Sequence, residues 1–498
     1  MPEFRSTAQG TGRIHPMWLV LLLAWPWVQP FTSPPLPNAW QWLTSWTCLA
    51  LAMLVWQRLT VAAVVQSWAL AALLSSAMGL VQFFGQAEFW APALHVPAYL
   101  GDALGNLRQR NQLASLLAMG ILAVMTWRAL GLSIAHSLWM LALLAMGMAA
   151  TSSRTGLLQL VFIGLWMLWH RLAPKGREAL ALTVFLLCVY ALASWVLPGL
   201  LLQLSGQATD NAMARMGALG GCGSRHVLWS NVLHLLAQKP LGGWGWDQLR
   251  YAHYITDYPS ERFCDMLGNA HNLPLHTAFV WGVPAALAGM LGVSVWVIRA
   301  RPWRYKSAGH QLAWGVLGVL ALHSFLEYPL WYGPFQVALL LCLWIMGGRV
   351  WLACQDRART TGAGLVLLGT LAFIAYDHAQ VQQIYWPSAQ RYSFWRDQAL
   401  QVAQRAWLFR GTALFAQVTT TPVHEGNARA MLENSLRAMH TSPEPRVIEK
   451  LLESAQMLGE DALFEAHKKH FQRVYPQAYL AWAHHRQPEP ADSAGSNF

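Results

Sequence analysis

The chain has 498 residues, of which 55% are hydrophobic and 11% charged, and its formal net charge is +11. A soluble domain is usually about 25% charged, so the composition excludes an ordinary soluble protein. Several apolar runs exceed the roughly 20 residues that span a bilayer. The sequence therefore predicts an all-α polytopic membrane protein. A surplus of Lys and Arg in cytoplasmic loops explains the positive charge without nucleic acid.

About eleven apolar segments follow one another along the chain, and about ten to twelve membrane spans fit their lengths. They lie near residues 16–32, 38–57, 60–84, 111–127, 133–151, 155–169, 179–201, 273–298, 309–326, 331–352 and 363–384. The first run lacks a convincing small-residue cleavage site, so we interpret it as a first helix rather than a signal peptide. Together these segments predict a transmembrane domain over residues 1–384.

The distribution of basic residues predicts the topology. Basic residues follow the even-numbered segments, as at Arg58, Arg128 and 171–177. A cytoplasmic N-terminus places every such cluster in the cytoplasm. The loop at 202–272 and the C-terminal tail then lie on the outer side, which is the periplasm of a bacterium. We expect a multi-pass protein of the bacterial inner membrane with its site on the periplasmic face.

Some arginines oppose this charge bias and fall on the outer side. A group of them around one large loop favours an anionic ligand over ordinary solvated charges. They are Arg108, Arg110, Arg154, Arg215, Arg225, Arg250 and Arg262.

A stretch within the outer loop, "SRHVLWSNVLHLLAQKPLGGWGWDQL" (224–249), has helical periodicity from Arg225 to Gln238. The pattern predicts an amphipathic helix lying along the membrane surface. Its apolar face would consist of Val227, Leu228, Val232, Leu235 and Leu236.

Two arginines and a histidine carry the candidate chemistry. Arginine presents a permanent charge and a planar fork that suits phosphate oxygens, so Arg154 and Arg225 are candidates to hold a lipid-linked pyrophosphate. His271 stands at the start of the eighth apolar segment, and histidine is suited to act as a general base near neutral pH. Asn272 and Gln109 are candidates to orient it or to contact sugar hydroxyls.

Simpler interpretations of these residues stay open. Arg154 is also suited to bind anionic lipid head groups, and His271 to cap a helix at the interface. Tyr328 and Tyr332, in "LEYPLWYGP", are also explained as ordinary interfacial aromatics.

The sequence contains no P-loop and no dinucleotide fingerprint. The acidic residues on the outer side form no paired-carboxylate or D-x-D pattern. They are Glu88, Asp102, Asp210, Asp247, Asp257, Glu261, Asp265 and Glu327. We therefore expect a lipid-linked donor, no metal and no cofactor.

Two cysteines, Cys222 and Cys264, fall in the outer loop, where an oxidising compartment preserves disulfides. A bridge between them would rigidify the loop; the alternative is two free thiols.

The tail changes character from about residue 385. Its composition predicts a small helical periplasmic domain over 385–485, with "TSPE" (441–444) as a helix start and disorder over 486–498.

Four stretches, taken in this order, resemble elements of the O-antigen ligase/polymerase superfamily. "GNLRQRNQLASLL" resembles a Gln-x-Asn element, and "SRTGL" is similar to a Ser-Arg-x-Gly element. "RHVLW…KPLGGWGWDQ" resembles an Arg-x-x-x-Trp…Pro-x-G-x-G element, and "AHNLPLHTAFVWGVP" a His-Asn-x-x-Leu…Gly-x-Pro element. Within the superfamily the chain looks like the bacterial protein O-oligosaccharyltransferases that glycosylate pilin.

The resemblance implies a GT-C-type membrane glycosyltransferase that moves a preassembled glycan from undecaprenyl pyrophosphate to an acceptor hydroxyl, with inversion. Arg154 and Arg225 would bind the pyrophosphate, and His271 would activate the acceptor. The protein-glycosylating branch also carries a Gln-x-Asn pair and a tyrosine, which match Gln109, Asn111 and either Tyr328 or Tyr332.

Three hypotheses follow. The first is transfer to Ser or Thr of pilin or another periplasmic protein. The second is an O-antigen ligase or glycan polymerase with a sugar hydroxyl as acceptor. The third is a transporter of lipid-linked glycans, against which the basic exceptions cluster on the outer face rather than near the bilayer midplane.

Overall fold

The computed structural model describes residues 17–170, 176–209, 221–305, 307–347 and 357–484. Within these ranges the regular elements are helices, with short 3-10 turns between some of them, and no strand occurs. The predicted disordered segment 486–498 and Arg215 lie outside the described residues.

The helices of the apolar part are α1 (Met17–Val28), α2 (Ala39–Leu54), α3 (Val61–Phe83), α4 (Arg110–Ala129), α5 (Ile134–Ala150), α6 (Arg154–His170), α7 (Gly176–Ser205), α8 (Arg225–Gln238), α9 (Leu249–Ile255), α10 (Leu273–Trp281), α11 (Val283–Ala300), α12 (Ala308–Leu326), α13 (Gly333–Met346) and α14 (Arg357–Tyr385). The tail adds α15 (Ala399–Ala403), α16 (Arg410–Thr420), α17 (Ala428–Thr441), α18 (Pro445–Met457), α19 (Asp461–Val474) and α20 (Pro476–His484).

Among the described residues, 5 helices are long and apolar enough to cross a membrane, namely α3, α4, α7, α11 and α14. Shorter apolar helices accompany them, among them α1 and α13 with 12 and 14 residues. At 1.5 Å per residue these two rise only about 18–21 Å, which is less than the hydrocarbon core of about 30 Å. The chain is a multi-pass, all-helical membrane protein, and the count of eleven spans stays a prediction.

One predicted span is broken in the structure. The segment 273–298 was expected as a single helix, but it divides at Gly282 into α10 and α11. Gly282 has a φ of +87°, and a Cβ there would lie 1.9 Å from the carbonyl oxygen of Leu241. Only glycine fits this close backbone approach, so the expectation of one continuous helix was wrong.

The chain folds into two compact units. The first unit comprises Met1–Leu219, His271–Leu273 and Leu291–Phe373. Its central helix is α4, in which every residue from Gln112 to Thr126 is buried. Small residues permit this burial, because a Cβ at Gly120 would overlap the Cβ of Ala72 on α3. This close packing holds α4 in place, and the candidate residues Gln109 and Asn111 lie at its start.

The second unit comprises Gly220–Ala270, Pro274–Met290 and Ile374–Phe498. The tail helices form a core that includes Leu432, Ile448, Leu451 and Phe471. α18 begins at Pro445, directly after the predicted start "TSPE", and proline suits the first helical position.

α8 spans Arg225–Gln238, as its periodicity predicts, but its apolar face does not lie open to a membrane. Val227, Leu228, Val232 and Leu235 are buried in one cluster with residues such as Phe279. Protein therefore covers the apolar face that was expected to contact the membrane.

Candidate active site

A residue in the left-handed conformation and a side-chain cap define the start of α4. Arg108 adopts a left-handed conformation with a φ of 61°, and its guanidinium donates to the carbonyl of Pro30 at 2.8 Å. Gln109 is extended, and its side-chain oxygen accepts from the backbone N–H of Gln112 at 2.7 Å. This cap satisfies a helix donor and places Asn111 in the first turn of α4.

The turn between α5 and α6 is tied to the same helix start. Ser152 also has a positive φ, 49°, and the next residue, Ser153, donates its hydroxyl to the side-chain oxygen Oδ1 of Asn111 at 2.6 Å. The same hydroxyl accepts from the backbone N–H of Gly156 at 2.9 Å. Arg154 is the first residue of α6 and is exposed. The turn therefore presents Arg154 beside a hydrogen-bonded Ser153–Asn111 pair.

A carboxylate links this helix start to the candidate base. Glu327 is buried at 8% exposure, and its Oε2 lies 2.5 Å from Nδ1 of His271. Its other oxygen, Oε1, accepts from the Asn111 amide at 3.1 Å. His271 has a φ of 50°, a conformation that is uncommon for residues other than glycine and that often marks functional positions. Ser153, Asn111, Glu327 and His271 thus form one hydrogen-bonded chain.

The hydrogen bond to Glu327 determines which nitrogen of the His271 imidazole is basic. A carboxylate at Nδ1 favours the tautomer in which Nδ1 carries the hydrogen, so that Nε2 is the basic nitrogen. The same carboxylate stabilises the imidazolium that forms when Nε2 takes a proton. In the first unit, His271 therefore has the partners of a general base, with Glu327 as the group that orients it.

Glu327, the carboxylate partner of His271, was not predicted as a site residue, because it belongs to no paired-carboxylate motif. The sequence feature that could have identified it is its isolation, because it is the only acidic residue between Asp265 and Asp356 in the sequence. It directly follows the apolar helix α12. An acidic residue in such surroundings is costly unless it is paired, and such residues commonly mark functional sites.

Two tyrosines flank this pair. The Tyr328 ring meets the His271 ring edge-on, with centroids 4.9 Å apart, and stacks on Tyr332 at 5.9 Å. Both tyrosines line a small cavity together with Gln109, Gln112, His323 and Glu327. Tyr328 is therefore the tyrosine that contacts the candidate base, and Tyr332 lies behind it.

The other polar residues near the site have supporting positions. The Asn272 amide donates to the carbonyl of Phe325 at 3.0 Å, which ties the segment after His271 to the end of α12. One turn before Glu327, His323 Nδ1 lies 2.8 Å from the Ser115 hydroxyl, and the Gln159 amide donates to the same hydroxyl at 2.7 Å. These buried contacts fix α12 against α4 and α6.

In the second unit, Arg225 is the first residue of α8. Ser224 caps this helix, and its side chain accepts from the backbone N–H of Val227 at 3.3 Å. A disulfide joins Cys222, two residues before the cap, to Cys264, with 5.2 Å between their Cα atoms. Arg225 is partly exposed at a helix start that a covalent bridge holds in place.

The glycine-rich stretch after α8 pairs with the region around Gly282. Backbone hydrogen bonds run from Trp244 N to Phe279 O at 2.7 Å, from Gly245 N to Val280 O at 3.1 Å, and from Val283 N to Pro240 O at 2.8 Å. Gly243 has a φ of +69°, and its Cβ would overlap the Val280 carbonyl. The glycines of "KPLGGWG" and "WGVP" are therefore needed because two backbones approach each other closely.

The arginines that oppose the charge bias do not all serve one site. Arg110 pairs with Asp102 at 2.8 Å, and Arg250 with Asp247 at 3.0 Å. Arg108 bonds a backbone carbonyl, as described above, and Arg262 bonds two. These contacts give several of the arginines structural partners. Among the described residues, no group of three or more His, Cys, Asp or Glu is arranged to hold a metal ion.

Family comparisons match separate parts of the chain. The model described as "O-Antigen ligase" matches residues 139–290, which include Arg154, Arg225 and His271. The model described as "Protein glycosylation ligase" matches residues 103–129, which include Gln109 and Asn111. The model described as "Virulence factor membrane-bound polymerase, C-terminal" matches residues 311–489. No curated protein and no solved structure matches the chain.

Proposed function

Because the chain belongs to the O-antigen ligase superfamily and is a glycan-transferring ligase, we propose that it is a GT-C-type protein O-oligosaccharyltransferase. It transfers a preassembled glycan from undecaprenyl pyrophosphate to Ser or Thr hydroxyls of periplasmic proteins such as pilin. The reaction takes place at the periplasmic face of the bacterial inner membrane. The observation that carries the proposal is the hydrogen-bonded chain from Asn111 through Glu327 to His271.

In this mechanism Nε2 of His271 removes the proton from the acceptor hydroxyl as the oxygen attacks the anomeric carbon of the glycan. The bond from that carbon to the pyrophosphate oxygen breaks on the opposite face, so the configuration inverts. Arg154 and Arg225 bind the pyrophosphate and stabilise the charge that develops on it. Glu327 holds the imidazole and stabilises its protonated form. No metal is required, because the guanidinium groups supply the positive charge.

The match to the protein glycosylation ligase favours a protein acceptor, because it covers the Gln109 and Asn111 positions. In the structure Asn111 supports Glu327 directly, whereas Gln109 caps α4. The second candidate is an O-antigen ligase or glycan polymerase with a sugar hydroxyl as acceptor. The match of residues 139–290 to the model described as "O-Antigen ligase" favours it. Both candidates use the same base, and only the acceptor distinguishes them.

A competition between acceptors tests the proposal. The protein is expressed in a host that makes undecaprenyl-linked glycan and that contains both a pilin and lipid A core. His271→Ala is the inactive variant, and His136→Ala, at an exposed position of α5, is the matched control. Glycan on pilin that is lost only in His271→Ala supports the proposal. Glycan on lipid A core instead supports the second candidate. No transfer to either, with lipid-linked glycan crossing the membrane only when the protein is present, supports a transporter.

A further inference from the structure

The second unit contains a cleft of about 570 Å³ that the proposed chemistry does not use. Its walls come from the end of the outer loop, including Arg262 and Met266, and from the last helices, including Arg473 and Tyr475. This volume is typical of ligand clefts, which span about 300–1,000 Å³. The cleft is a candidate binding site, and its lining does not include His271.

The charge of the cleft lining is predominantly positive. Among the described residues that line it, the guanidinium groups are those of Arg250, Arg262 and Arg473, and the carboxylate is that of Asp265. Arg250 and Arg473 have carboxylate partners nearby, Asp247 and Asp257 respectively. The cleft therefore carries more positive charge than its own carboxylate balances.

Within the part of the chain that the structure describes, Arg262 is the arginine of the cleft without a carboxylate partner. It donates to the backbone carbonyls of Thr256, at 3.1 Å, and His253. Its guanidinium also lies over the ring of Tyr258, 5.4 Å from the centroid. These neutral groups hold the side chain in one position but do not neutralise it. A partly buried cation without a counterion is costly, and an anionic ligand would offset this cost.

The remaining lining indicates which anion fits. The tyrosine hydroxyls around Arg262 already have partners: Tyr254 bonds His467, Tyr258 bonds His253, and Tyr475 donates to the Pro443 carbonyl at 3.0 Å. Few polar groups are then left to bond the many hydroxyls of a sugar.

Apolar side chains form much of the remaining wall, among them Met266, Leu267, Val474 and Ala478. An extended peptide with acidic residues offers apolar contacts and carboxylates together, and arginine clusters commonly read such motifs.

We propose that this cleft binds an acidic segment of the acceptor polypeptide, with Arg262 as the main carboxylate-binding residue. The inference rests on the proposed function for the identity of the ligand, and it adds a docking site outside the catalytic centre. Acceptor proteins that carry a segment rich in aspartate or glutamate would then bind better than proteins without one. The preference would weaken at high salt, since the contact is electrostatic.

Binding of a fluorescent peptide to the full-length His271→Ala protein tests the proposal without turnover. The probe carries several aspartates and a single serine, and its matched partner carries asparagines instead. Arg262→Gln is expected to raise the Kd for the acidic peptide by about ten- to hundred-fold, because hydrogen bonds to charged groups are lost. Arg437→Gln, at an exposed position of α17, is the matched control and should leave the Kd unchanged.

A second variant keeps the test valid if Arg262→Gln fails to fold. Gln477→Glu adds a negative charge to the cleft wall at an exposed position, so it should also weaken acidic-peptide binding. Equal binding of the acidic and neutral peptides, or an unchanged Kd in folded Arg262→Gln, would overturn the proposal. Competition by a uronate-containing oligosaccharide with no binding of the acidic peptide would overturn it as well and assign the cleft to an acidic sugar.

The two proposals fail in different ways. If no protein is glycosylated but acidic-peptide binding depends on Arg262, the proposed function fails and the cleft assignment loses only its acceptor role. If pilin is glycosylated but neither binding nor transfer changes in Arg262→Gln, the proposed function stands and the cleft proposal is wrong.

Discussion

Replacement of Glu327 by glutamine tests the most specific feature of the candidate site. The substitution keeps the shape of the side chain and an oxygen for the Asn111 amide, but it removes the negative charge at Nδ1 of His271. The new amide nitrogen would oppose the Nδ1 hydrogen, which favours the tautomer with the hydrogen on Nε2. The imidazole would then be held in the wrong state to accept a proton.

The size of the effect follows from the geometry. With charge centres about 4 Å apart and an effective dielectric constant of about 20, a carboxylate stabilises an imidazolium by about 4 kcal/mol. The His271 side chain is 31% exposed and that of Glu327 is 11% exposed, so solvent screens part of this interaction. We expect the barrier to glycan transfer to rise by about 2–4 kcal/mol, which lowers the rate by about 30- to 1,000-fold.

The assay is transfer of glycan from a lipid-linked donor by purified protein, with the rate taken from the fraction of acceptor modified. Glu327→Asp should keep more activity than Glu327→Gln, because it keeps the charge. Glu88→Gln removes a carboxylate at an exposed position of the same unit and serves as the matched control. A Glu327→Gln rate within about threefold of the wild-type rate would refute the assignment, because a threefold change is less than 1 kcal/mol.

Three further predictions concern stability. The disulfide between Cys222 and Cys264 closes a loop between residues 42 positions apart. Its removal should destabilise the second unit by about 4 kcal/mol. The measurement is the Tm, which should be lower in reductant or in the double serine variant. Burial lowers the pKa of His253 to about 3 and that of His467 to about 4. The folded state then binds fewer protons than the unfolded chain, so the Tm should fall as the pH drops below about 6.5. Gly282→Ala should lower the Tm, because the left-handed conformation alone costs about 1–2 kcal/mol and the new Cβ overlaps the Leu241 carbonyl.

Each of these has a clear contrary result. An unchanged Tm in reductant would show that the bridge does not hold the second unit together. A Tm that is constant between neutral and mildly acidic pH, or a His253→Gln variant with the same pH dependence as wild type, would contradict the buried neutral histidines. A Gly282→Ala protein as stable as wild type would show that the backbones around Leu241 can separate without cost.

The sequence predicted the helices best where apolar periodicity is uninterrupted. The range of α8 follows from its pattern, and α4 begins at Arg110, one residue before the predicted segment 111–127. The break at Gly282 was not predicted, because it depends on the distant backbone of Leu241. Apolar periodicity also does not tell whether a helix face is covered by lipid or by protein, which is why the environment of Val227 and Leu228 was misjudged.

The site was predictable to the extent that its chemistry lies in motifs. His271 and Asn111 were identified from local patterns, and the structure brings them to the same carboxylate. Glu327 is more than fifty residues beyond His271 in the chain, so no spacing rule connects the two. Its role depends on where α12 ends relative to α4, which tertiary packing decides. Nor does residue type distinguish Tyr328 from Tyr332, whereas ring contacts do.

The most direct test of the central claim measures transfer and donor binding in the same purified His271→Ala protein. We expect the transfer rate to fall by about 10²- to 10⁴-fold, the usual contribution of a general base, while the Kd for the lipid-linked donor is unchanged. Transfer at the wild-type rate by folded His271→Ala protein would contradict this expectation, because the base would then have to be another group.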